Sequence, residues 1–196
     1  NRVVSDNDTV VVGGDISWAM TTERAEEDLI FIDRLRGNKI FIKGNHDYWW
    51  TTLKKVTDFF DSHGITTIKL LQNNSFSCCG KHICGTRGWY SDAATAPEDS
   101  DYMKIVAREA QRLELSLKAA PDTGEEKIVF LHFPAYFEGY VCRPLIELMK
   151  SHGVRRCFYG HVHGVYNIAP RTVFEGIEFS IVSADYLNFT PLRIAD

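Results

Sequence analysis

Four times in this chain a short apolar run ends on a side chain able to bind a metal. Thr9-Val10-Val11-Val12 leads through Gly13-Gly14 to Asp15. Lys39-Ile40-Phe41-Ile42 leads through Gly44 to Asn45-His46-Asp47. Lys127-Ile128-Val129-Phe130-Leu131 delivers His132, and Arg156-Cys157-Phe158-Tyr159 leads through Gly160 to His161-Val162-His163. Runs of β-branched and aromatic residues that stop at glycine read as buried strands, and the first of them reads as a central strand. In open α/β sheets, sites form beyond the carboxyl ends of strands. Four segments far apart in sequence therefore have a geometric reason to meet.

Between these runs the pattern turns helical. Residues 22–36 place Ala25, Leu29, Ile32 and Leu35 on one face, with Thr22 as cap and Gly37 as stop. Residues 51–63 bury Leu53, Val56, Phe59 and Phe60 before Gly64. Such strand and helix alternation predicts parallel βαβ units. The middle reads as hairpin-linked strands at 66–71, 75–79 and 82–84, broken at Asn73-Asn74 and Gly80-Lys81. Gly85 to Tyr90 is a loop, and Pro97-Glu98-Asp99 opens a helix over 100–120 with Ile105, Ala110, Leu113 and Leu117 as core. A further helix covers 144–152, and 172–194 reads as antiparallel strands with a turn at Glu175-Gly176. The sum is an α/β chain with two packed sheets and helices outside, in a single domain over residues 1–196.

The ligand types are carboxylate, amide oxygen and imidazole, without thiolate. This mixture suits divalent Mn, Fe or Zn rather than a structural thiolate site. Taken singly, Asp15 reads as a helix cap, Asn45 and Asp47 as turn residues, His132 as a core histidine, and His161 and His163 as polar loop. Taken together, four such accidents would have to fall in order. Arg87, in Gly-Thr-Arg-Gly, is a candidate phosphate binder or a solvated loop arginine. Trp49 and Trp50 read as core, Tyr136, Phe137 and Tyr140 as possible cleft lining, and Asp185 as a turn residue. No role falls to His63, His82 or His152. The 5 cysteines are odd in number and lack a Cys-x-x-Cys pair, which predicts reduced thiols in a cytoplasmic protein. No apolar run reaches membrane-span length, and a net charge of −4 gives no basic footprint for nucleic acid. Nothing in the pattern speaks to oligomeric state.

Gly14-Asp15, Gly44-Asn45-His46-Asp47, Leu131-His132 and Gly160-His161-Val162-His163 resemble, in this order, the motifs of calcineurin-like metallophosphoesterases. The resemblance implies a four-layer α/β/β/α sandwich of two mixed sheets. It implies hydrolysis of small phosphomonoesters or phosphodiesters by a water activated between two divalent ions. Asp15 would bridge the ions, Asn45, His132 and His161 would complete one, and His163 would belong to the other. His46 would face the substrate as acid or charge stabiliser, oriented by Asp47. Family members begin with a strand ending Asp-x-His. Here the sole such string is Asp61-Ser62-His63, which reads as a helix end. The first strand is therefore expected ahead of Asn1, and the domain reads as N-terminally incomplete. Gly14-Asp15-Ile16-Ser17-Trp18 also departs from the Gly-Asp-x-x-Asp-Arg-Gly of phosphoprotein phosphatases, which points toward other esters. The alternative is a metal-poor relative used as a protein-binding scaffold.

Overall fold

Side chains that alternate between two buried faces build this fold. The computed structural model describes residues 3–89 and 100–194, with backbone alone at Ser100 and Asp101. The elements are β1 (Thr9–Val12), α1 (Glu26–Asp33), β2 (Asn38–Phe41), α2 (Leu53–Ser62), β3 (Ile68–Leu70), β4 (Phe76–Cys78), β5 (Lys81–Thr86), α3 (Ser100–Ala119), β6 (Glu126–Leu131), β7 (Tyr136–Phe137), β8 (Tyr140–Val141), α4 (Arg143–Ser151), β9 (Arg156–Tyr159), β10 (Arg171–Phe174) and β11 (Ile177–Ile181). A parallel sheet has the order β1-β2-β3. A larger sheet has the order β10-β11-β9-β6-β5-β4, parallel at its centre and antiparallel at both edges. β7 and β8 form a separate small hairpin.

Three cores separate four layers. Ile40, Ile42, Ile83, Ile128, Phe130 and Phe158 pack between the two sheets. On the other face of β2, Phe41 joins Leu29 of α1 and Val56 and Phe60 of α2, with Trp49 and Trp50. On the outer face of the larger sheet, Val129, Leu131 and Cys157 meet Leu113 and Leu117 of α3 and Leu145 and Met149 of α4. The result is the α/β/β/α sandwich. The runs are apolar without alternation because both faces of each central strand are covered.

Several local expectations are corrected. β1 is not central among the described strands but lies at an edge, and its four residues are only half-buried. α1 starts at Glu26 without a side-chain cap, because the Thr22 hydroxyl donates instead to Trp49 O at 2.9 Å. Leu35, expected in the core, is 38% exposed. β3 is no hairpin partner of β4: it pairs in parallel with β2, and the chain then crosses to the other sheet. Asn74 shapes that crossing, its Oδ1 accepting from Gln72 N and its Nδ2 donating to Leu70 O. At the other end only β10 and β11 form a hairpin, and residues 182–194 follow as loop and turns. Thr52, not read as a cap, caps α2 by accepting from Lys55 N. The expected helix opening at Pro97-Glu98-Asp99 lies outside the described residues. No helix of the described residues is long and apolar enough to cross a membrane.

Candidate metal centre

The loops after β1, β2, β6 and β9 meet at one rim, and two glycines allow the approach. A Cβ on Gly44 would run into the Asp15 carboxylate. A Cβ on Gly14, at φ +97°, would stand 2.8 Å from Gly44 Cα and 2.5 Å from His132 Nδ1. Asp15 and His161 themselves adopt left-handed backbone, at φ 55° and 64°. Non-glycine residues hold such conformations where their surroundings over-determine them, and these cluster at functional sites.

Asp47 fixes the two candidate ligand loops of the smaller sheet to each other. Its carboxylate is fully buried. Oδ2 accepts from Asp15 N at 2.9 Å and Gly44 N at 2.8 Å. Oδ1 accepts from Ile16 N at 2.8 Å, Ser17 N at 3.1 Å and the Trp49 indole at 2.9 Å. Its oxygens are thus spent on N–H donors, and the expected role of orienting the His46 ring falls to other groups. That ring stacks on Trp18 at 4.3 Å and meets Tyr48 edge-on at 6.1 Å. The His46 backbone N–H donates to Asp15 Oδ1 at 2.8 Å.

The ligand-capable atoms of Asp15, His132 and His161 all lie within 4.8 Å of one another. Asn45 Oδ1 sits among them, 2.7 Å from His132 Nε2 and 3.0 Å from His161 Nδ1. Asp15 Oδ2 is 3.6 Å from the same His132 Nε2. His132 Nδ1 donates to Gly13 O at 2.8 Å, which fixes the tautomer and leaves the Nε2 lone pair facing two oxygens. Burial holds the pKa of His132 below the ordinary imidazole value. Burial, with His132 adding to it, lowers that of His161 to about 4. Both rings are therefore neutral at pH 7, as metal ligands must be. A lone pair facing oxygens with no proton between them is a mutual repulsion that a divalent cation removes. The donor set fits such an ion.

His163 stands apart from this group. Its Nδ1 lies 2.9 Å from Asp185 Oδ1, while Asp185 Oδ2 accepts from Gly164 N and the Tyr166 hydroxyl. The Gly164 N–H chiefly, with His163 and Tyr166, lowers the Asp185 pKa to about 2. A carboxylate on Nδ1 is the usual outer partner of a ligating histidine, leaving Nε2 for the metal. Sequence reasoning gave Asp185 only a turn, since nothing local signals a partner 22 residues away. Trp18, 70% exposed beside His46, was likewise missed.

Arg87 pairs with a buried carboxylate. Its guanidinium lies 3.6 Å from the buried Glu109 and over the Trp89 ring. Its carbonyl accepts from His132 N and Phe133 N, so the residue positions His132 through its backbone. Tyr136 stacks on Phe174, Phe137 is buried, and the Tyr140 hydroxyl donates to Trp89 O, so these rings serve packing rather than a cleft. An open cavity of about 870 Å³ borders the site, lined by Asp15, Trp18, His132, His161 and His163 and continuing along β1.

A family model described as calcineurin-like phosphoesterase matches residues 2–165. No protein of curated function matches the chain. A crystal structure of TT1561 from Thermus thermophilus superposes with a TM-score of 0.51 at 11% identity, over 90% of this chain and 76% of that one. That likeness is one of fold. Another crystal structure aligns at a TM-score of 0.47 and 11% identity over 81% of this chain, which spans 62% of that relative's length.

Proposed function

Because the chain belongs to the calcineurin-like phosphoesterase family, we propose that it hydrolyses a small phosphate ester, using divalent cations held by Asp15, Asn45, His132 and His161. Metal-dependent phosphoester hydrolysis is what that family implies at a coarse level. The observation that carries the reading here is the approach of Asn45 Oδ1 to the His132 Nε2 lone pair at 2.7 Å, with Asp15 and His161 beside them. The chemistry that divalent ions would supply there is a water of lowered pKa and neutralisation of phosphoryl oxygens. Asp15, with His163 backed by Asp185, would hold a second ion. His46, held by Trp18, donates a proton to the departing oxygen, a role worth about 10²–10⁴ in rate.

The test is turnover in excess Mn²⁺. Asp15→Ala and His132→Ala should each abolish hydrolysis of p-nitrophenyl phosphate, and unchanged rates would exclude the assignment. His46→Asn should slow an alkyl ester by about 10²–10⁴ yet spare the nitrophenyl ester, whose leaving group needs no proton. Equal losses on both esters would remove His46 as the acid. One observation favours the scaffold alternative: among the described residues, a single group of His, Cys, Asp or Glu side chains is close enough to hold an ion. Metal analysis separates the two readings. Two ions per chain exclude a scaffold, and none after Mn²⁺ loading supports it.

A further inference from the structure

The β4–β5 hairpin turns at the far end of β5 from the ligand cluster, about 20 Å away along the six residues of that strand. Cys78 pairs with Lys81, which leaves Cys79 and Gly80 as a two-residue loop. Their φ values, 51° and 66°, are both left-handed, the geometry of a type I′ turn. Asn, Asp or Gly normally takes the first of these positions, because other side chains are strained there. Cysteine lacks the side-chain oxygen with which Asn or Asp bonds nearby backbone to offset that strain. What it brings is a thiol. Neighbours on an extended strand point to opposite faces, but here the left-handed residue puts its Sγ 3.3 Å from that of Cys78.

Cys79 is exposed and Cys78 half-buried, whereas Cys84, Cys142 and Cys157 are buried. The side-chain hydrogen bond with Cys78 raises the Cys79 pKa. The pair does not readily close on itself. A trans peptide sets adjacent Cα atoms about 3.8 Å apart, short of the roughly 4.4 Å at which disulfides begin. Two thiols so placed can instead take a third atom between them. Beside them opens a second cavity of about 540 Å³, walled by Val4, Val11, Ile83 and Ile194 and reaching both cysteines. It has room for an apolar substituent.

We propose that Cys78 and Cys79 form a two-thiol site for a trivalent organoarsenical, a soft centre matched to soft sulfur. With a monosubstituted arsenoxide both S–H bonds break, two As–S bonds form, and the oxygen leaves as water. Neither arsenic nor sulfur changes oxidation state.

The probe is phenylarsine oxide on the intact reduced chain, read by intact-mass spectrometry. One adduct per chain is expected, resistant to excess 2-mercaptoethanol and removed by 2,3-dimercaptopropanol. Cys79→Asn restores a residue suited to the turn, so the hairpin is kept; this variant and Cys78→Ser should each bind roughly 10²–10⁴-fold more weakly, the loss of the second tethered thiol. Thermal melts by circular dichroism should place Cys79→Asn at or above the parent. An adduct that persists in Cys79→Asn, that a monothiol reverses, or that fails to form on the folded parent overturns the proposal.

Discussion

Asp47 is the side chain on which the ligand geometry rests. It touches no ligand atom, yet it joins the backbone before Asn45 to the backbone around Asp15 through four main-chain N–H groups, with the Trp49 indole as a fifth donor. Asp47→Ala strands these donors in a dry site. It should lower stability by at least about 3 kcal/mol in urea unfolding with an unchanged m value, since each bond to a buried charge is worth roughly 1.5–3 kcal/mol. A loss under about 1 kcal/mol would show that the loops hold themselves. Proton binding gives a second prediction at this scale. The pKa of His161 falls from 6.5 to about 4 on folding, and that of His132 falls too. Between these pH values the unfolded chain binds more protons than the folded one. The stability of the metal-free protein should therefore be complete above about pH 6.5 and decline toward pH 4. His161→Gln should flatten part of that decline in thermal melts, and an identical slope would contradict the assignment. The candidate ligands were legible in the sequence, because carboxylate, amide and imidazole each followed an apolar run. The direction of Asp47 was not, because adjacency to His46 says nothing about which way a carboxylate turns.

At the level of elements, the strands were legible wherever both faces are covered. Ile40 and Phe41, or Phe130 and Leu131, each serve a different core, so the run stays apolar and stands out. What the pattern does not carry is sheet membership. β3 and β4 read alike, and only the Asn74 crossing sends them to different sheets. The edge position of β1 was equally hidden, since Thr9–Val12 has the composition of a covered strand. Helix ends were read only in part. The Thr52 cap of α2 was not read, and the end of α1 is closed by Lys39. The Lys39 ammonium, buried within β2, donates to Asp33 O, Leu35 O and Gly37 O at 2.6–3.0 Å. Burial lowers its pKa, with Asp33 opposing the shift. Lys39→Met should destabilise the fold by about 2–3 kcal/mol in urea unfolding, because three carbonyls lose a charged donor. A neutral result would mean that the turn after α1 is held by its backbone.

Across the whole molecule, the centre spans the seam of the sandwich. Asp15 and Asn45 follow strands of the smaller sheet, and His132 and His161 follow strands of the larger one. A cation at this rim would therefore tie the two sheets together at the end where four strands finish. The sequence foretold this meeting because parallel strands deliver their ligands at the same end. It did not foretell that His163 would pair with Asp185, a contact made only by the folded chain. The central claim is that these four side chains hold one divalent ion. Anomalous diffraction from a crystal equilibrated with Mn²⁺ tests it most directly. The account predicts a manganese peak about 2.0–2.3 Å from oxygens of Asp15 and Asn45 and nitrogens of His132 and His161. No peak among these four, with their side chains still 2.7 Å and 3.0 Å apart around Asn45 Oδ1, would contradict it.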